Sequence, residues 1–160
     1  MNKLIFFFLI LPNLGFGQLN ELYSFTLNNI KNSEEFAEFA NGRTTQVQVM
    51  SEVIPFSSIG FAFFDKLQEY TGTDYHNNTS NNKSIEQAEL RNLSDKKKSI
   101  LKLFFSPIDN EVIMAELVYA RSKNDKGHYS ITNFGQSLVF IAKYQKGQLV
   151  DIKATLMHNN

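Results

Sequence analysis

Between Asn110 and His158 the chain carries three long runs, Glu111 to Arg121, Phe134 to Gln145 and Gln148 to Met157, in which apolar residues recur at every second position. Period two is the mark of pleated chain, because successive strand side chains point to opposite faces. The link Gln145-Lys146-Gly147-Gln148 is too short for a crossover, and its glycine suits the positive φ of a tight turn. The last two runs are therefore predicted to form an antiparallel hairpin. The first two runs are apolar on both faces, as expected of interior strands covered on two sides. The third segregates Val150, Ile152, Ala154 and Leu156 from Asp151, Lys153 and Thr155, which predicts one dry face and one wet one.

Such a sheet needs a cover, and the earlier segments supply helices. Leu19, Leu22, Tyr23, Leu27 and Ile30 fall on one helical stripe. Ser33 is a good N-cap, Glu34 and Glu35 suit the positive end of a helix, and Asn41-Gly42 closes a second helix through Phe36, Ala37, Phe39 and Ala40. Thr45 to Ile54 alternates Val47, Val49 and Val53 with Gln46, Gln48 and Glu52, predicting a half-buried strand that ends at Pro55. Over Ile59 to Phe64 two patterns compete: a helix through Phe56, Ile59, Phe63, Leu67 and Tyr70, or a strand passing into a helical turn at Asp65. The strand is the preferred reading. Gly72 to Lys83 is a polar surface loop, and the Asn-x-Ser/Thr triplets at Asn77, Asn78, Asn82 and Asn92 matter only in a host that glycosylates them. Ser84-Ile85-Glu86-Gln87 fits a capping box and predicts a helix that runs on, or restarts at Ser94, to an apolar end at Ile100, Leu101, Phe104 and Phe105 before Pro107. Ser122 to Asn133 is a polar connection.

The fold class that follows is α+β: a curved antiparallel sheet of three long C-terminal strands plus one or two N-terminal strands, packed against two to three helices. Residues 18–160 are read as one domain, with residues 1–17 set apart. There Lys3 precedes the apolar run Leu4 to Leu11, Pro12 and Asn13 break it, and Gly15 and Gly17 place small residues before Gln18. That is the pattern of a secretory signal peptide cleaved near Gly17, the run being too short to span a bilayer. The mature protein is expected to be secreted or periplasmic, with no stable membrane span. Cysteine is absent from all 160 residues, which rules out disulfides, thiol chemistry and lipidation of an N-terminal cysteine. Sixteen basic side chains balance sixteen acidic ones, so no overall field draws the chain to nucleic acid. The Lys96-Lys97-Lys98 run, diluted by Glu86, Glu89 and Asp95, reads as a solvated helix face.

Few residues carry chemistry. His76, His128 and His158 are scattered and show no metal-ligand spacing; Asp74-Tyr75-His76 is a weak ligand set with no second cluster. Neither Gly-x-Ser-x-Gly nor a phosphate-binding glycine loop occurs. No metal and no cofactor is expected. Glu116 alone breaks the apolar logic, sharing a strand face with Val112, Met114, Val118 and Ala120. A carboxylate there is a candidate acid, base or pocket anchor, or else one half of an ion pair at the sheet edge. Gln136 is expected to line the same cavity, with Tyr119, Tyr144 and Arg121 at its rim.

The order helix, helix, strand, strand or helix, helix, then three long antiparallel strands resembles the nuclear transport factor 2-like, or cystatin-like cone, superfamily. The resemblance implies a curved sheet wrapping helices around a pocket, used by some members for binding and by others for isomerase or dehydratase chemistry. The His-Asp pair of catalytic members has no counterpart that can be placed on this sequence. The expected function is a non-catalytic exported domain that binds a small apolar ligand or a partner protein. Two alternatives stand beside it: a small hydrolase or isomerase using Glu116 for general acid–base catalysis, and an envelope assembly or structural factor.

Overall fold

The computed structural model describes residues 16–59, 63–75, 90–132 and 135–158. The predicted signal segment falls almost wholly in 1–15, and His76, the triplets at Asn77, Asn78 and Asn82, and the capping box at Ser84 fall in 76–89; all lie outside the described residues. The described chain is α+β. A five-stranded mixed sheet of order β1-β2-β3-β4-β5 is built from Val47–Val53, Leu101–Phe105, Val112–Tyr119, Gln136–Gln145 and Gln148–His158. Helices α1 (Phe16–Lys31) and α2 (Glu34–Ala40) lie on one face; α3 (Phe56–Ile59), α4 (Phe64–Thr71) and α5 (His128–Thr132) lie on the other.

The two helix-bearing faces are two separate cores. On the α1/α2 side, Leu22, Tyr23, Leu27 and Ile30 pack on Leu101, Leu103, Phe105, Leu117 and Phe140. The Tyr23 ring meets Phe105 edge-on at 5.0 Å, and its hydroxyl donates to the Ser106 carbonyl at 2.9 Å. On the opposite side Phe56, Ile59, Phe63 and Leu67 pack on Phe104, Met114, Val118, Val139 and Ile141. Each such side chain taken from water stabilises the fold by about 1.5–3 kcal/mol. β3 and β4 sit between both layers, which is why their sequences are apolar on both faces.

The local signals act as predicted in α2, where the Ser33 hydroxyl accepts from the Phe36 N–H and Asn41 closes the helix in the left-handed region. The Gln145–Gln148 turn places Lys146 at φ 53° and Gly147 at φ 77°, a two-residue connection whose twist matches the strands it joins.

Four expectations are corrected. At its described ends the Ile59 to Phe64 segment is helical, not extended: Ile59 ends α3 and Phe64 begins α4, so that Phe56, Ile59, Phe63 and Leu67 share one buried side. The helix expected to reach Phe105 is replaced by strand β2, all five of whose residues are buried. A short apolar run bounded by Pro107 fits either element, and here the place between β1 and β3 decides it. The Lys96–Lys98 run is exposed, as expected, but lies outside any helix. Finally, β1 joins β2 in parallel, with Val47 opposite Leu101 and Val49 opposite Leu103, while the remaining pairs are antiparallel.

β5 also differs in detail. An irregularity opposite Lys143/Tyr144 breaks the alternation, so Leu149 packs with Ile152 and Ala154 against the α1/α2 core while Val150 is 58% exposed. Asp151, on the side predicted to be wet, accepts a hydrogen bond from the Tyr70 hydroxyl of α4. That bond holds the Asp151 carboxyl below its usual range, and burial together with Asp151 pushes the Tyr70 phenol up. No helix among the described residues is long and apolar enough to cross a membrane.

Candidate functional site

Glu116 stands at the middle of β3, opposite Phe104 of β2 and Val139 of β4, and is only 4% exposed. It faces the α3/α4/α5 core, together with Val112, Met114, Val118 and Ala120. Its partner is His128, the first residue of α5, whose Nε2 lies 2.5 Å from Glu116 Oε2. The imidazole edge packs against the Phe104 ring at 5.1 Å, and the His128 main-chain N–H donates to Glu52 Oε2 at 2.8 Å. Two carboxylates from two strands thus hold one histidine, by its ring and by its backbone.

Beside this pair lies a buried amine. Lys102, alternating with Phe104 along β2, is 0% exposed. Its ammonium donates to Gln48 Oε1 at 2.6 Å and to the Lys123 carbonyl at 2.9 Å. Burial depresses its pKa, and the nearby Asp125 charge partly opposes that. The segment from Arg121 to Thr132 is therefore fastened over the sheet by polar contacts to Lys102, Glu116 and Glu52. Sequence spacing gave no hint of the His128 contact, since twelve residues and a polar connection separate it from Glu116.

Gln136 is not part of that arrangement. Because Glu116 is paired with Val139, the even-numbered residues of β4 belong to the opposite face, where Leu138 meets Leu117 and Phe140 meets Ala115. The expectation of one cavity shared by Glu116 and Gln136 is corrected accordingly. Tyr144 also lies on the α1/α2 side, fully buried. It is hydrogen-bonded to Thr26 Oγ1 at 2.8 Å, with its phenol pKa raised by burial and Thr26 opposing. Arg121 is exposed. Gln136 reaches His158 on β5 with 3.4 Å between Nε2 and Nδ1.

What Gln136 and Tyr119 do share is a groove of about 590 Å³ on the α1/α2 face, between α2 and the outer strands. Its floor is Leu138, Ala154 and Leu156. Phe39 from α2 stacks on Tyr119 with centroids 5.4 Å apart and planes at 22°, and the Arg43 guanidinium lies 5.1 Å from the same tyrosine centroid. Tyr119 is held in place by its hydroxyl, which donates to the Ala40 carbonyl at 3.2 Å; burial raises its pKa, against the pull of Arg43. Glu35 and Glu38 form the acidic rim. The groove residues from α2 were not singled out in the sequence, because nothing there says which strand ends α2 overhangs.

The groove is open, apolar below and charged above, whereas the Glu116–His128 pair is nearly sealed, with 12% of the histidine side chain exposed. The first suits reversible binding, and the second holds a segment in place over the sheet. Among the described residues no group of three or more His, Asp or Glu side chains converges in a way that would hold a metal ion. No family model, curated protein or solved structure matches the chain.

Proposed function

We propose that this chain is an exported, non-catalytic binding domain, and that the groove between α2 and β4–β5 is where it takes an apolar ligand. The observation that carries the reading is the groove itself: Leu138, Ala154 and Leu156 offer apolar area, the Phe39–Tyr119 stack offers a flat aromatic wall, and Arg43 with Glu35 and Glu38 gives polar groups for orientation. Leu156 remains 47% exposed, area that a ligand would remove from water. The export component rests on the pattern of residues 1–17, and a nuclear transport factor 2-like relation belongs to the same proposal, resting on the order of elements. Thermal-shift screening against fatty acids, peptides and glycans tests the binding component. A groove-filling Ala154→Trp variant is expected to lose the stabilisation that an apolar ligand gives the wild type. Equal shifts in both proteins, or none across the screen, would overturn it.

A second reading, general acid–base catalysis, is favoured by one observation, the 2.5 Å Glu116–His128 contact. A ligand that moves the His128 ring signals in NMR spectra supports it. Stabilising ligands that move Tyr119 and leave His128 untouched refute it.

A further inference from the structure

The two edges of the sheet are treated differently. At β1 the outward main chain of Val47 and Val49 is already satisfied: the Val47 N–H donates to Asp95 Oδ2 at 2.9 Å, the Asp95 N–H donates to the Val47 carbonyl at 2.9 Å, and Ser94 Oγ both accepts from the Val49 N–H and donates to its carbonyl. That part of the edge is closed to any further strand. At β5, the other edge, no described residue hydrogen-bonds to the outer main chain. From Asp151 to His158 its pairing with β4 is regular, so the outer edge presents an unbroken ladder of N–H and C=O groups, the usual template for strand pairing.

The groove runs up to that edge. Thr155 contributes to its lining although its register partner Val139 belongs to the opposite core, so it reaches the groove through its main chain. A strand laid along β5 would sit about 4.8 Å outside it, with every second side chain leaning over Leu156 and Ala154. Across the groove stands α2, whose seven residues include Glu34, Glu35 and Glu38 and no basic side chain.

We propose that β5 accepts an extended basic segment of a partner protein as a sixth strand, its alternate apolar side chains entering the groove and its lysines or arginines meeting Glu35 and Glu38. This rests on the groove being a binding site and specifies its occupant. Main-chain hydrogen bonds supply affinity in this mode, and the groove supplies selection at alternate positions.

The test uses an eight-residue peptide alternating valine and lysine, with blocked ends, added to the whole protein. Expected are slowed amide exchange between Asp151 and His158, and affinity that falls about tenfold or more when alternate peptide nitrogens are methylated. The Glu35→Gln/Glu38→Gln variant should weaken binding and flatten its salt dependence, and a valine–glutamate peptide should not bind. Binding that ignores N-methylation would overturn strand addition while leaving the groove reading intact. Absence of any β5 protection with the lysine peptide would overturn it too. So would concentration-dependent self-association that protects the same amides, which would make a second copy of the chain the occupant. Failure of the groove reading shows separately, as insensitivity of fatty-acid or glycan shifts to Ala154→Trp.

Discussion

Replacing Lys102 by methionine tests whether the ammonium under the 121–132 segment stabilises the fold or is merely tolerated by it. The side chain is fully buried and makes two hydrogen bonds, to Gln48 Oε1 and to the Lys123 carbonyl. Bonds to a charged group contribute about 1.5–3 kcal/mol each, so about 3–6 kcal/mol is lost on substitution. Against that stands the penalty for holding an ammonium out of water, several kcal/mol per ion. Methionine fills nearly the same unbranched volume. Gln48 Oε1 keeps its bond from the Ser99 N–H, and Lys123 is exposed, so water can reach its carbonyl. The two sides nearly cancel, and Lys102→Met is expected to change stability at pH 7 by no more than about 1.5 kcal/mol. Lys102→Ala, which leaves a void, should cost about 2–4 kcal/mol.

The pH dependence carries the sharper signature. Because burial lowers the Lys102 pKa in the folded state, the unfolded chain binds more protons between the folded value and the ordinary lysine value near 10.4. Wild-type stability therefore gains a contribution that is fully present above about pH 10.4 and lost as pH falls through the folded pKa. The methionine variant lacks it, so its stability relative to wild type should be best near pH 7 and should worsen toward pH 10. Urea denaturation of the three proteins at pH 7, 9 and 10 measures both effects. A methionine variant as damaged as the alanine one at pH 7, or a wild-type-minus-methionine difference that is flat with pH, would refute the reasoning.

Other outcomes are expected from contacts already described. His128→Ala leaves the Glu116 carboxylate buried without its partner and should cost about 3 kcal/mol in urea melts; Glu116→Gln, which retains an acceptor for Nε2–H, should cost less than half of that. Asp95→Ala removes the acceptor of the Val47 N–H and of Lys31 Nζ, and should cost about 1–2 kcal/mol while speeding amide exchange at Val47 more than at Val139. Lys146→Asn places a residue that tolerates φ 53° in the hairpin turn and should raise stability by a few tenths of a kcal/mol, about 1–2 °C in the melting midpoint.

The C-terminal strands and α2 were legible because each declares itself locally, the strands through period two and α2 through Ser33, its glutamates and Asn41-Gly42. Glu116 was placed on the correct side of β3 by the same alternation. What alternation cannot supply is the offset between strands. Gln136 went to the wrong face because pairing 116 with 139, rather than with an even-numbered residue, is fixed by packing and not by composition. Leu101-Lys-Leu-Phe-Phe was misread for a related reason: five residues are too few to show a period, and a lysine in their midst suggests a wet helix face unless the Gln48 and Lys123 acceptors are known. His128 carried no signal at all, since its meeting with Glu116 arises when the 121–132 segment folds back over the sheet.

The parallel pairing of β1 with β2 has a kinetic consequence. β2, β3, β4 and β5 are neighbours in the sheet in the order they follow in the chain, each pair antiparallel, whereas β1 and β2 are parallel neighbours separated by residues 54–100, of which α3 and α4 pack on the opposite face. Closing a loop of that length is entropically unfavourable until its contacts form. The antiparallel meander should therefore assemble first and β1 dock last, with Asp95 and Ser94 acting as the latch. In the interval the open edge of the nascent sheet is β2, five buried apolar and basic residues waiting for a parallel neighbour. Protection of the Val47 and Val49 amides during refolding should lag behind that of Val139 and Ile141.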